Sequence, residues 1–264
     1  MQTNKIPCTV EILTLNSANT LPKLLESIKD FAEIIVLDGG STDGTADIAR
    51  AAGARIVAQN DGQKPNSAIS DFASVRNKGL SMVSYSWLLF IDSDEYLSPE
   101  ALTEIREIIR APIPECKVYE VPRKYIMNGK VIEHSITYPA VQTRFFNRDA
   151  VTNFIKPVHE RIQVRRGIKI CRLKNPIYVP QSGEFFPKKW FKYMEIEAVK
   201  YKNFSIGRCL IITARRIAVS LLYAWRYVLL LASGNKPRAP WRHEISYIVY
   251  NFVHIFYMWL ARLK

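Results

Sequence analysis

Cysteine is scarce in this 264-residue chain: Cys8, Cys116, Cys171 and Cys209 stand far apart. None forms a metal-type pair, and a chain of this length can bury a core without covalent staples. Four separate thiols in a reducing, cytoplasmic setting are therefore expected. Histidine is as rare, with four residues, so no His or Cys cluster suggests zinc. The opening residues, Met-Gln-Thr-Asn-Lys-Ile-Pro, contain no apolar signal core, and export is not expected. Glycine and proline are not in excess, and no repeat or low-complexity tract occurs, which excludes a broadly disordered chain. Apolar runs of the roughly 20 residues that a membrane span needs are also missing. Residues 217–233 are too short and carry Arg226, and residues 245–260 hold Asn251 and His254. Acidic residues are outnumbered, 24 against 37 Lys and Arg. The imbalance is local: from Pro180 onward there are 14 Lys and Arg and 4 Glu, which is +10 of the net +13. Such asymmetry points to an appended surface for an anionic partner, nucleic acid or acidic lipid.

What the chain does contain is strand–helix alternation. Residues 8–15, 33–38, 55–58 and 87–91 read as strands; 21–28, 45–52 and 67–82 read as helices. Ser98-Pro99-Glu100 opens a further helix with a capping hydroxyl, a proline and a first-turn carboxylate. This order predicts an α/β fold with a mostly parallel, doubly wound sheet. After Pro112 the pattern turns antiparallel. Residues 118–125 and 131–136 flank Asn128-Gly129 as a hairpin, 140–146 form a strand, and 162–171 pair around Gly167. From Pro187 three helical segments follow. In the first, Trp190, Tyr193, Met194, Ala198, Tyr201 and Phe204 share one face, with Lys188, Lys192, Glu195, Lys202 and Asn203 opposite. In the second, Arg208, Arg215 and Arg226 form one stripe; in the third, His243, Glu244, Tyr247, Asn251, His254 and Arg262 share a face. Helices of this kind lie in a membrane interface, or else pack on the α/β domain or on a second copy as a homodimer.

Two strand ends carry chemistry. Trp87 to Ile91 runs straight into Asp92-Ser93-Asp94, and ligands of open α/β sheets bind beyond the carboxyl ends of such strands. Two carboxylates one residue apart can share a hard divalent cation and a sugar or phosphate oxygen. Ile34 to Leu37 runs into Asp38-Gly39-Gly40-Ser41-Thr42-Asp43-Gly44-Thr45. Glycines there permit positive φ and close ligand approach, Ser41, Thr42 and Asp43 can cap the next helix, and Asp38 can accept from a base imide or ribose hydroxyls. Asp43 and Asp47 read as helix-terminus residues.

Together these blocks closely resemble glycosyltransferase family 2, with its GT-A nucleotide-binding fold, over roughly residues 6–165. Leu13-Thr14-Leu15-Asn16 is similar to the family's first strand end, whose backbone frames the base. Asp38 to Thr45 is similar to the Asp-X-Gly-Ser-Thr-Asp-Gly-Thr block, so the resemblance implies that Thr14, Asn16, Asp38 and Gly40 surround the nucleotide. Val75-Arg76-Asn77-Lys78-Gly79 resembles the Ala-Arg-Asn-X-Gly block, which implies Arg76 near the nucleotide. Asp92-Ser93-Asp94 resembles the metal motif, Asp92 toward the ribose and Asp94 on Mg²⁺ or Mn²⁺. Thr143-Arg144-Phe145-Phe146-Asn147 and Val158-His159-Glu160 resemble blocks of bacterial lipopolysaccharide core glucosyltransferases, although Lys156-Pro157 stands where a glycine is usual.

The resemblance implies a catalytic domain over 1–180, with a nucleotide-sugar half of about 1–111 and an acceptor half of about 112–180, and a helical appendage over 181–264. It implies metal-dependent, inverting transfer of glucose or another hexose from a UDP-sugar to a lipid-linked saccharide. The acceptor is a lipopolysaccharide core or a polyprenyl-diphosphate glycan. The setting is the cytoplasmic face of the inner membrane, with residues 188–264 on anionic lipid. Glu160 is the candidate base, His159 an alternative or a diphosphate ligand, and Glu95 a weaker alternative. A polyprenyl-phosphate glycosyltransferase would show clear spans. A nucleotidyltransferase would show an early Gly-rich, basic turn, unlike Asn16-Ser17-Ala18-Asn19. A nucleic-acid binder would expose aromatics or arginines on a base-reading surface, whereas the tail aromatics fall on apolar helix faces.

Overall fold

The computed structural model describes residues 5–62, 64–181, 185, 188–232 and 237–263, without the side chains of Lys188, Lys189, Lys192, Tyr193, Ile196 and Val199. The wheel positions predicted for Lys188, Lys192 and Tyr193 therefore lie outside the described residues.

The alternation appears as expected: β1 (Ile6–Thr14), α1 (Leu21–Ser27), β2 (Phe31–Asp38), α2 (Thr45–Ala51), β3 (Arg55–Ala58), α3 (Phe72–Ser81) and β4 (Trp87–Asp92). Then come β5 (Tyr96–Leu97), α4 (Pro99–Arg110), β6 (Val118–Met127), β7 (Lys130–Val131), β8 (Ala140–Asn147), β9 (Val151–Ile155), β10 (Arg161–Val164), β11 (Ile170–Arg172) and β12 (Ile177–Pro180). The helices α5 (Lys188–Tyr201), α6 (Ile206–Leu231) and α7 (Trp241–Leu263) close the chain. The main sheet runs β3-β2-β1-β4-β8-β6-β12-β5. Strand β1 lies parallel to β2 on one side and to β4 on the other. Both faces of these strands are buried, which is why they read as apolar runs. Alternate side chains feed two cores: Leu89 and Ile91 join Val10, Ile12 and Val36, while Leu88 and Phe90 join Leu13, Ile35 and Leu37. Beyond β4 the sheet turns antiparallel through β8 and β6.

Four expectations need correction. The helix expected from residue 67 begins at Phe72, because Asp71 caps it by accepting from Ser74 N. Ser67 N instead donates to Gly39 O at 2.9 Å, holding residues 64–67 against the β2 turn. The pair expected around Gly167 does not form: β10 pairs antiparallel with β9, a strand the sequence reading missed, while β11 lies parallel to β6. The Asn128-Gly129 hairpin is real but pairs only two residues per strand, Ile126–Val131 and Met127–Lys130. Finally, Cys116 and Cys171 are not separate thiols. The pairing of β11 with β6 brings their Cα atoms to 6.0 Å and they form a disulfide.

The chain divides into two compact units, one of residues up to 124 and 140–180, the other of 125–139 and 181 onward. In the second unit Glu244 accepts from Ile136 N at 3.0 Å, and Arg226 donates to Ile136 O at 3.0 Å. These bonds explain why the hairpin segment goes with the C-terminal helices. Among the described residues no helix is long and apolar enough to cross a membrane.

Candidate active site

The chain leaves β1 for β2 and β3, then returns to β4 on the other side of β1. The strand order reverses there, and the carboxyl ends of the three strands meet in register. Thr14 aligns with Asp38, and Leu13 with Asp92.

Asp38 is buried, and its oxygens build the turn that follows β2. Oδ1 accepts from Thr14 Oγ1 at 2.8 Å and Ser41 Oγ at 2.5 Å; Oδ2 accepts from the amides of Gly40 and Ser41. Gly40 is at φ 78°, and a Cβ there would stand 3.0 Å from Lys64 O, so glycine is needed for both reasons. Asn16, at φ 51°, knits the pieces together. Its amide donates to Ser41 Oγ, its Oδ1 accepts from Thr42 N, and its Nδ2 donates to Asn66 Oδ1 at 2.8 Å. Asp43 accepts from Ala18 N and Thr45 N at the start of α2, and Asp47 pairs with Arg50, the helix-terminus roles expected of both.

The end of β4 is an ionic chain. Arg76, wholly buried on α3, donates from Nη1 to Glu11 Oε1 at 3.1 Å and from Nη2 to Asp92 Oδ1 at 2.8 Å. Its Nε lies 3.6 Å from Glu160 Oε1. Arg144 on β8 donates to Asp92 Oδ2 at 2.8 Å and to Glu95 Oε2 at 2.6 Å, and Glu95 also pairs with Arg123. The Phe90 ring lies under both guanidiniums, 4.8 Å from Arg76 and 5.1 Å from Arg144. Burial alone would raise the Asp92 carboxyl, but Arg144 and Arg76 override it and hold it well below the ordinary carboxylate range. Asp92 still keeps 40% of its side chain exposed. Asp94 is exposed, and the intervening Ser93 Oγ meets Ser17 Oγ at 2.8 Å.

Glu160 reaches this cluster through a backbone clamp. Asn77 Nδ2 donates to Phe154 O, Phe154 N donates back to Asn77 Oδ1, and Phe72 N donates to Pro157 O. α3 thereby pins the β9–β10 turn that carries Val158, His159 and Glu160. Lys156 in that turn sits at φ 76°, a conformation that favours glycine. The backbone thus keeps the glycine-like bend where the sequence has lysine. His159 is exposed, and Glu160 keeps 13% exposure.

A family model for glycosyl transferase family 2 matches residues 9–170, which hold every strand end described above. This chain belongs to that family. It is 35% identical over 163 residues to the SPbeta prophage-derived glycosyltransferase SunS of Bacillus subtilis, covering 56% of this chain and 37% of that one. It is 32% identical over 129 residues to the lipopolysaccharide core biosynthesis glycosyltransferase LpsC of Rhizobium meliloti, covering 47% and 45%. The chain thus spans less than half the length of these curated relatives. Residues 1–349 of S. aureus TarS in complex with UDP align over 93% of this chain and 90% of that one, at TM-score 0.47 and 19% identity.

Within this family 2 domain the structure brings Thr14, Asn16, Asp38 and Gly40 into one turn and Arg76, Asp92 and Glu160 into one ionic chain. Glu95, the alternative base, is only 1% exposed and clamped between two arginines, so it cannot meet an acceptor. Sequence reading missed Glu11, Arg123 and the Asn77 clamp, and did not foresee that Arg144 grips Asp92. Glu11 left a faint signal: it is the one charge in the apolar run from Cys8 to Leu15. Gly79 explains its neighbour, since a Cβ there would fall 2.4 Å from Glu11 Oε2.

Burial pushes the Glu11 carboxyl up to about 7, against the pull of Arg76. A carboxyl raised on folding favours the native state while protonated. That contribution is full below its unfolded value of 4.5 and is lost as pH rises through about 7. Glu11→Gln is therefore expected to flatten stability across that window. Denaturation at pH 5 and pH 8 should show wild type losing more than the variant; equal losses would remove Glu11 from the pH dependence.

Proposed function

We propose that this chain is a metal-dependent, inverting hexosyltransferase that takes glucose or another hexose from a UDP-sugar and places it on a hydroxyl of a lipid-linked saccharide. The observation that carries the proposal is the placing of Asp38 and Asp92 at the carboxyl ends of β2 and β4, the two parallel strands that flank β1, with Glu160 held 3.6 Å from the same Arg76 that grips Asp92. Membership of family 2 and the likeness to a lipopolysaccharide core enzyme support the reaction class and the acceptor.

Each residue then has a task. The turn built by Thr14, Asn16, Asp38 and Gly40 holds the nucleoside; a base imide reaches Asp38 Oδ1 by displacing the rotatable Ser41 hydroxyl. Asp92, with a guanidinium on each oxygen, is fixed for a ribose hydroxyl by its exposed edge. Arg76 is wholly buried and acts on the donor through Asp92 and on the acceptor through Glu160. The donor set suits a hard cation. Asp94, exposed just past the end of β4, would be the ligand for Mg²⁺ or Mn²⁺, and Asp92, which holds a guanidinium on each oxygen, would keep to the ribose. When bound, that ion supplies neutralisation of the charge growing on the departing diphosphate. Glu160 takes the acceptor proton as the hydroxyl oxygen attacks the anomeric carbon opposite the leaving UDP. The new C–O bond forms as the bond to the diphosphate breaks.

The test is nucleotide release with UDP-glucose and other UDP-hexoses, Mn²⁺ and a lipid-linked saccharide. UDP is the expected product; pyrophosphate would instead mark a nucleotidyltransferase. Glu160→Gln is expected to keep the thermal shift given by UDP and to lose about 10²–10⁴-fold in turnover. Turnover near wild type would exclude Glu160 and leave His159 as the base.

A further inference from the structure

The C-terminal unit is built inside out. On α7 the polar residues His243, Glu244, Ser246, Asn251 and His254 are buried, while Trp241, Phe252, Phe256, Leu260 and Leu263 are exposed. Asn251 and His254 are served from within the unit. Arg216 donates to Asn251 Oδ1 at 3.1 Å, His254 Nε2 meets Glu197 at 2.9 Å and Tyr201 Oη at 3.1 Å, and Trp259 Nε1 donates to Thr213 Oγ1 at 3.0 Å. On α6, Leu210, Ile211, Leu221, Trp225, Val228 and Leu231 are all more than half exposed.

A helix in water buries its apolar stripe and exposes its polar one. The reverse holds in hydrocarbon, where polar side chains turn inward and pair while apolar ones face the solvent. On α6 the exposed positions cover about half of the helix circumference. Among the described residues of α6, the exposed charges are Arg208 and Arg215, along one border of that arc. Arg226 continues their stripe and donates to Ile136 O within the unit. A polar stripe along the whole of α6 fits a helix lying parallel to the bilayer plane. An arc this wide suits fluid acyl chains better than the narrow seam by which two helices of separate copies pack.

We infer that α6 and α7 sink their exposed faces into the acyl chains of one leaflet of an anionic bilayer, with Arg208 and Arg215 reaching its phosphates. The inference deepens the proposed transfer to a lipid-linked saccharide, an acceptor held at a membrane, and rests on that reading. Long arginine stems can lie along apolar surface while their heads stay at the phosphates.

The test uses the full chain and phosphatidylcholine vesicles with and without phosphatidylglycerol, some brominated in the acyl chains. Wild type is expected to float with the anionic vesicles, and bromine to quench its tryptophan emission, less so in Trp225→Phe. Leu221→Glu with Trp225→Glu should weaken flotation at least ~100-fold, since two large apolar side chains leave the lipid. Arg208→Glu with Arg215→Glu should abolish the preference for phosphatidylglycerol. Both pairs are exposed, so far-UV circular dichroism and the UDP thermal shift should match wild type. Flotation without bromine quenching would overturn insertion while leaving contact with headgroups intact. Absence of flotation would overturn both, and a dimer that Leu221→Glu with Trp225→Glu splits would give the face to a second copy. Loss of the UDP shift in wild type would instead count against the donor reading alone.

Discussion

Replacing Arg76 by methionine is expected to cost about 3–5 kcal/mol of stability, the usual penalty for removing one partner from a buried ionic group. Against a typical total of about 5–15 kcal/mol, that is enough to leave a substantial unfolded fraction. Arg76 serves Glu11, Asp92 and Glu160 with three separate guanidinium nitrogens. Methionine fills most of the volume but satisfies none of the three carboxylates. Asp92 keeps Arg144, and Glu11 can take up a proton, having been raised to about 7 already. The double variant Glu11→Gln, Arg76→Met should therefore recover part of the loss, and the coupling in that cycle measures the buried pair. Lysine is no substitute, because a single ammonium cannot span Glu11, Asp92 and Glu160 at once. Urea denaturation of the four proteins decides it. A cost under about 1 kcal/mol for Arg76→Met would mean that the cluster is solvated and carries little energy.

Much of this arrangement was legible in the chain, and the limits have physical causes. An apolar run that ends in aspartate marks a strand that leaves the core at its carboxyl end, so Asp38 and Asp92 could be placed at a site before any coordinates. The blocks around Arg76 and Glu160 marked them as candidates but not their contacts. Arg144 meets Asp92 only because β8 returns antiparallel beside β4, a pairing between residues far apart in sequence that no local pattern encodes. The same is true of Cys116 and Cys171, joined by the parallel pairing of β11 with β6. Lone Glu11 within β1 looked like an interruption of a core strand; its reason, Arg76 on α3 and the room that Gly79 leaves on the same helix, is tertiary. The C-terminal helices show a different limit. Periodicity told which residues share a face of α7, yet not which face turns inward. That depends on the surroundings, and here the polar face is the buried one.

Chelation with EDTA is expected to abolish transfer, and Asp94→Ala to lower it by about 10³-fold or more, the scale of several kcal/mol of lost charge stabilisation. The two effects should differ in one respect: Mn²⁺ or Mg²⁺ returned in excess restores the chelated wild type but not the variant. Asp94 is exposed, and interactions at an exposed carboxylate are worth little, so its removal should change thermal stability only slightly. Asp92→Asn makes the contrast. Its two oxygens hold Arg76 and Arg144, both nearly without solvent access, so the amide should cost stability as well as turnover. Loss of activity with an unchanged melting temperature thus marks a ligand, and loss of both marks a support. If the two aspartates had equal roles on the ion, their variants would lose activity alike and differ little in stability. Undiminished transfer in EDTA would instead show that the charge on the leaving diphosphate is met by this chain's own cations. The buried arginines could not serve, because Arg76 and Arg144 are already committed to Glu11, Asp92 and Glu95. The burden would then fall on the β9–β10 turn, where Lys156, His159 and Arg161 flank Glu160, and Lys156→Ala would become the variant with the larger loss.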